Sequence, residues 1–386
     1  MRPLPKRVLV YNPSQALLCR TCRLQSRQLS SAAVAPPPPP PSSGIAPLAS
    51  RRLLSVSGPD SAKFLQGIIT SSVVSKAGVK RSEPFYTGFL NATGRVVNDV
   101  FIYPYANNAI LGADSAEGGF LIEVDAQQQA SLAKYMKRYK LRAKVSLQTL
   151  DSDQATVWQA WDGSSSQVSL PATSESRIVF QDPRAPGIGH RIIQFSQKAP
   201  EVDADPTSED SYTIRRYLKG VAEGQDEILP GALPLESNME LMNGIDFHKG
   251  CYVGQELTIR TKHRGVVRKR ILPCVVYDEH APMPQALAYE PESLRPGAEA
   301  VPPETSIGRV DKKGRSAGKW LKGVGNIGLA LCRLEIMTDV VLPGEQSAAT
   351  YKPEDEFAVS WEDGQRTLKI KAFVPDWVRT GISPSD

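Results

Sequence analysis

No apolar run in the 386 residues approaches the roughly 20 that a membrane-crossing helix needs, which argues against a helical span. Acidic residues are missing from the beginning. Asp60 is the first, whereas Arg2, Lys6, Arg7, Arg20, Arg23 and Arg27 all precede residue 28. Setting those six of the 46 basic residues aside leaves 40 against 41 acidic ones, so the net +5 belongs to the leading segment. With the body balanced in this way, nothing in the net charge argues for a nucleic-acid-binding surface, which needs a basic stripe on the domain itself. Cysteine is scarce. Of five, Cys19 and Cys22 lie in the leading segment, and Cys251, Cys274 and Cys332 have neither zinc nor ferredoxin spacing. Such a chain cannot supply four cysteine ligands to a metal cluster by itself. His190, His248, His263 and His280 are scattered, and only His248 stands close to a cysteine, a poor start for a zinc site. No phosphate-cradling glycine loop and no Ser-His-Asp order stands out.

What is present is the composition of a soluble globular protein, 41% apolar and 23% charged, long enough for two or three domains. The Arg-rich, Ser-containing, acid-free start has the character of a mitochondrial targeting peptide over residues 1–35. Its positive charge is drawn by the negative potential of the matrix side. Arg27-Gln28-Leu29-Ser30-Ser31 resembles a matrix-peptidase site. Residues 36–50, opening with six prolines, read as an extended linker that joins neither helix nor sheet.

The folded part is expected from Arg51. Leu53 to Val56 reads as a strand, and the apolar face of Phe64, Leu65 and Ile68 as a helix. Pro84 to Tyr105 reads as a hairpin turning at Asn91-Ala92-Thr93-Gly94. Residues 106–206 are expected to form an inserted α+β unit. There Asp125 caps a helix whose Leu132, Tyr135, Met136 and Tyr139 share one face. Ser164 to Ser176 is read as a surface loop, and residues 207–265 return to helices that complete the domain begun at 51–105. Residues 266–386 suit a small β-barrel, with 278–305 as a flexible insertion and Lys312-Lys313-Gly314-Arg315 as a solvated turn.

Lys249-Gly250-Cys251-Tyr252-Val253-Gly254-Gln255-Glu256 is the stretch that invites a chemical reading. A thiol beside a lysine and near a helix start sits where a thiolate is favoured. Gly250 and Gly254 allow a sharp bend or a close approach. On composition alone the blander reading, a small buried cysteine among turn glycines, is favoured.

This octapeptide resembles, without a mismatch, the K-G-C-Y-x-G-Q-E signature of the YgfZ-type iron–sulfur cluster assembly factors. These are relatives of the glycine-cleavage (GcvT-like) aminomethyltransferases. Phe64-Leu65-Gln66-Gly67 with Thr70, Gly88-Phe89-Leu90 through Gly94-Arg95 and Asp99, Tyr139 to Val145, Pro234 to Asn238 and Gly328 to Leu331 also resemble family patterns. The resemblance implies an α+β fold: a three-lobed ring with ferredoxin-like units and a C-terminal β-barrel. It implies a matrix role in maturing [4Fe–4S] proteins such as aconitase, lipoate synthase and radical enzymes, together with A-type carrier proteins. Cys251 would act as reactive thiol or as one ligand of a transient cluster shared with a partner. Lys249, Gly250, Tyr252, Gly254, Gln255 and Glu256 would frame it. A tetrahydrofolate would bind near Asp99, Glu236 and Arg95.

One departure bears on the chemistry. The related transferases carry two adjacent aspartates in the hairpin, whereas this chain has Asn98-Asp99, and an amide cannot act as a carboxylate base. An assembly factor rather than a conventional enzyme is therefore expected. The rivals are a folate-dependent one-carbon transferase or demethylase, and a folate-binding module without thiol chemistry.

Overall fold

The computed structural model describes residues 35–105, 118–163, 170–311, 314–342 and 351–382. The expected targeting peptide up to residue 34, with Cys19 and Cys22, lies outside the described residues, as do Lys312 and Lys313. So does part of the Ser-rich loop, residues 164–169.

A first sheet has the strand order Phe85–Leu90, Val96–Tyr105, Gly119–Asp125, Arg51–Ser57, Ser146–Leu150, all antiparallel. Its central strands are buried on both faces, which is why they read as continuous apolar runs rather than as an alternation. Leu54, Val56, Ile122 and Val124 pack toward helices α1 (Ser61–Gln66) and α2 (Gln129–Lys140), joining Phe64, Leu65, Leu132 and Met136 in one core. Leu53, Phe101, Tyr103 and Leu121 enter a second core, shared with Val157, Ile178 and Ile193. Asp125 caps the entry to α2, its carboxylate accepting the Gln127 amide at 2.8 Å.

The second sheet runs Asp205–Pro206, Gly44–Pro47, Thr156–Trp161, His190–Gln194, Arg177–Gln181. Two expected borders are corrected here. Gly119–Asp125 pairs with both Arg51–Ser57 and Val96–Tyr105, so the chain after residue 106 completes the first sheet instead of starting an inserted unit. Gly44–Pro47 lies between two strands of the second sheet, so residues 36–50 are not all linker. The reason is burial: Ile45 and Ala46 in the strand and Leu48 just after it are apolar and almost inaccessible, and the prolines before them stay outside the ladder.

Helix α3 (Glu209–Lys219) ends at Gly220 in the left-handed region, and helix α4 (Gln255–Arg264) follows an irregular stretch. Six strands then close a barrel in the order Lys269–Tyr277, Ile327–Arg333, Gly318–Val324, Ser306–Arg309, Phe357–Trp361, Arg366–Ala372. Residues 278–305 are packed rather than loose. Leu294, Ala298 and Val301 enter the barrel core, and Asn326 ties down the chain through Glu290 N–H and the Ala288 carbonyl. A few well-placed apolar anchors outweigh the polar composition that read as flexible.

Candidate functional site

The octapeptide forms a loop running into α4, and its members are placed differently. Lys249 turns inward. Its ammonium donates to the carbonyls of Gln66, Ile69 and Ser71 at 2.9, 2.7 and 2.9 Å, satisfying all three protons on the chain that follows α1. The ring of Tyr252 lies 4.9 Å from the same ammonium. Burial pushes the Lys249 ammonium down to about 7, opposed by the charge of Asp246. Asp246 braces the preceding turn, accepting Ser72 Oγ at 2.6 Å and the His248 amide at 2.8 Å. Burial works to raise its carboxyl, but the Ser72 and His248 bonds and the Lys249 charge hold it below the ordinary value.

Gly254 is required by geometry. It sits at φ +80°, and an added Cβ would run into the Asn91 carbonyl and come within 2.8 Å of Leu90. Opposite it, Gly94 at φ +78° closes the hairpin turn, where Asn91 Oδ1 accepts the Thr93 and Arg95 amides. The hairpin tip and the start of α4 thus interlock through two glycines. Gly250, expected to bend the chain, is not in the left-handed region, and a Cβ there would meet no atom within 4 Å. Tyr252 is buried, with its phenol pushed up to about 12 by burial, and its amide donates to Gln255 Oε1 at 3.3 Å. Val253 N–H reaches the Gly67 carbonyl at 3.0 Å, and Glu256 is exposed in the first turn of α4.

Cys251 stands on this braced loop, exposed and unpaired. Cys274 and Cys332 face each other at 3.9 Å in the barrel core, fully buried. Among the described residues no group of three or more His, Cys, Asp or Glu side chains is arranged to hold a metal ion. Among the described residues the structure therefore offers a partner a single accessible thiol, on a loop held in place by neighbours that point inward.

The residues expected to hold a folate separate into two places. Arg95 and Glu236 line one cavity of about 350 Å³ beside the barrel, where Lys269 pairs with Glu236 at 3.3 Å. Asp99 is not among its lining residues and is 2% exposed; its Oδ1 accepts the Gly224 amide at 3.0 Å, while Oδ2 has no partner. Burial raises the Asp99 carboxyl above the ordinary value, opposed chiefly by Arg51. The hydroxyl of Tyr86, also buried, is unpartnered too. The fit to a folate is therefore partial: two unpaired polar atoms at one place, and a charged cavity at another.

Around Asp99 lies a charged seam that the sequence reading missed. Glu223 sits between Arg184 and Arg191, 2.7 Å from each, and accepts the Tyr212 hydroxyl at 2.8 Å. Arg191 also reaches Glu123, which pairs with Arg51 at 2.9 Å, and Arg184 pairs with Asp182 at 2.7 Å. Arg216 closes the chain of charges on Glu227 at 2.6 Å. Burial would raise the Glu223 carboxyl, but Arg191, Arg184, Arg51 and Arg216 hold it well below the carboxylate range. Arg191 and Arg184 lie 32 and 39 residues from Glu223, and Arg51 lies 72 from Glu123, so no local signal announces these pairs.

Known proteins show the same architecture. The fold resembles the glycine cleavage system aminomethyltransferase T of Bartonella henselae, with TM-score 0.59 over 88% of this chain and 87% of that one, at 11% identity. Residues 268–380 match the CAF17 C-terminal β-barrel domain. The class is thus an aminomethyltransferase-like fold carrying a barrel, with one exposed thiol among the described residues. The chain is 55% identical to the mitochondrial iron–sulfur cluster assembly factor IBA57 homolog of Pyricularia oryzae, over 96% of its own length and 94% of that protein's. The Neurospora crassa homolog is 47% identical over 98% and 93%. This chain belongs to the IBA57 family of mitochondrial iron–sulfur cluster assembly factors.

Proposed function

We propose that the chain matures [4Fe–4S] proteins in the mitochondrial matrix by lending Cys251 as one ligand to a cluster whose other ligands belong to an A-type carrier. The observation that supports this most is the single exposed cysteine on a pinned loop, with the other two described cysteines sealed in the barrel. A cluster here is cargo. The thiol loses its proton on ligation, and one thiolate cannot retain a cluster once the partner's ligands leave. Shared ligation suits a factor that must hand its cargo on. The clients under this reading are apoproteins such as aconitase, lipoate synthase and radical enzymes.

The test is reconstitution. The purified chain alone should be colourless. Mixed with an A-type carrier, iron and sulfide, it should gain visible absorbance and form a complex of defined mass. Cys251→Ser should lose both, whereas Cys274→Ser and Cys332→Ser should retain them. A coloured complex with Cys251→Ser rejects the proposal.

A tetrahydrofolate is the second part of the proposal, supported by the unpaired Asp99 Oδ2 and Tyr86 hydroxyl. When bound, it would be held at that pair or at the Arg95–Glu236 cavity, not by all three expected residues together. Calorimetric titration should show one site, weakened by Asp99→Ala or by Glu236→Ala but not equally by both. No heat at millimolar ligand would remove folate from the account. The transferase reading has less support, because Asn98 is an amide and Asp99 is 2% exposed.

A further inference from the structure

The end of α2 and the turn after it carry a surface that nothing above uses. Between Asp125 and Asp151 there is no acidic residue, but there are six basic ones: Lys134, Lys137, Arg138, Lys140, Arg142 and Lys144. All but the half-buried Lys140 are exposed, and none forms a side-chain ion pair among the described residues. In their midst Leu141 is 88% exposed, the most exposed of the large apolar side chains described. Its backbone stands at φ 44°, ψ −111°, a conformation that a leucine rarely adopts. The turn is braced: Ala143 N–H donates to the Lys140 carbonyl at 2.8 Å, and Lys144 N–H to Asp60 Oδ2 at 2.7 Å. On α2 the rings of Tyr135 and Tyr139 meet at 4.8 Å, tilted by 45°, and the Tyr135 hydroxyl anchors on the Leu90 carbonyl. A rigid support thus pushes one aliphatic side chain into solvent among basic side chains that outnumber Asp60, the one acidic side chain bonded to the turn.

We propose that this turn is a peripheral membrane-binding site for anionic phospholipid. A protein partner would ordinarily meet an apolar patch with aromatic or arginine anchors in a desolvated pocket. A lone leucine ringed by basic side chains is better matched to a bilayer. The side chain enters the boundary between headgroups and acyl chains, while the surrounding ammonium and guanidinium groups meet lipid phosphates. This surface does not include Cys251, and its use would hold the assembly factor at a membrane without any span.

Co-sedimentation with vesicles tests it, using protein purified from mitochondria so that every variant shares one N-terminus. Vesicles containing phosphatidylglycerol or cardiolipin should bind the chain, phosphatidylcholine alone should not, and added salt should release it. The double variant Lys137→Gln, Arg142→Gln should bind about 25-fold more weakly, about fivefold for each charge removed. Leu141→Gly should also bind several-fold more weakly while melting no lower than the parent, since glycine accepts positive φ. Failure to bind anionic vesicles overturns the proposal. So does binding that both variants leave unchanged, or binding confined to an acidic protein or a nucleic acid.

Discussion

Two glycines four positions apart in the octapeptide do different work. Gly254 holds a positive φ against the backbone of the hairpin turn, whereas a Cβ on Gly250 would enter open space. Alanine at 254 must force φ out of the left-handed region or push Asn91 and Leu90 aside. Gly254→Ala should therefore cost about 1–3 kcal/mol in urea unfolding, and Gly250→Ala should change stability by less than about 0.5 kcal/mol. Equal effects at both positions would show that the loop is not pinned as described. Lys249 carries the same lesson. A lysine next to a cysteine invites an electrostatic reading of the thiol, yet its three protons are taken up by backbone carbonyls. The sequence marks the cluster of special residues but not the direction in which each one points.

At the scale of elements, the seam between the sheets depends on Glu223, which serves Arg184 and Arg191 at once. Glu223→Gln would leave buried guanidinium groups short of counter-charge, a change worth about 3–5 kcal/mol, read as a lower urea midpoint. The pH dependence has a definite sign. A carboxyl held below its ordinary 4.5 in the folded chain contributes stability that is fully present above 4.5 and is lost as pH falls through its folded value. The parent should thus lose stability steeply on acidification below about pH 4.5, and Glu223→Gln should lose less over the same range. Parallel acid curves would contradict this role. What the sequence made legible at this scale was local. The hairpin turn is written in Asn91 and Gly94, α2 in the spacing of Leu132 and Met136, and several barrel strands in their apolar runs. What it hid was long-range: Arg51 finds Glu123 72 residues away, and Gly44–Pro47 is recruited by strands that come more than a hundred residues later.

In the whole molecule, an antiparallel sheet, a mixed sheet and a closed barrel support a loop whose exposed cysteine does not contribute to the core. The fold is that of an aminomethyltransferase, while the residue we propose as the working one is the Cys251 thiol, and the family is one of mitochondrial cluster assembly. The expected site was legible as an octapeptide because all of it is contiguous in the chain. The separation of Asp99 from Arg95 and Glu236 was not, because it depends on how the barrel and the first sheet are placed around the charged seam. The most direct measurement is aconitase activity in mitochondria whose only copy of this protein carries Cys251→Ser at the parent's abundance and melting temperature. The account predicts that aconitase activity is lost while the variant stays folded. Full aconitase activity in those mitochondria would contradict it and leave Cys251 without a role in assembly.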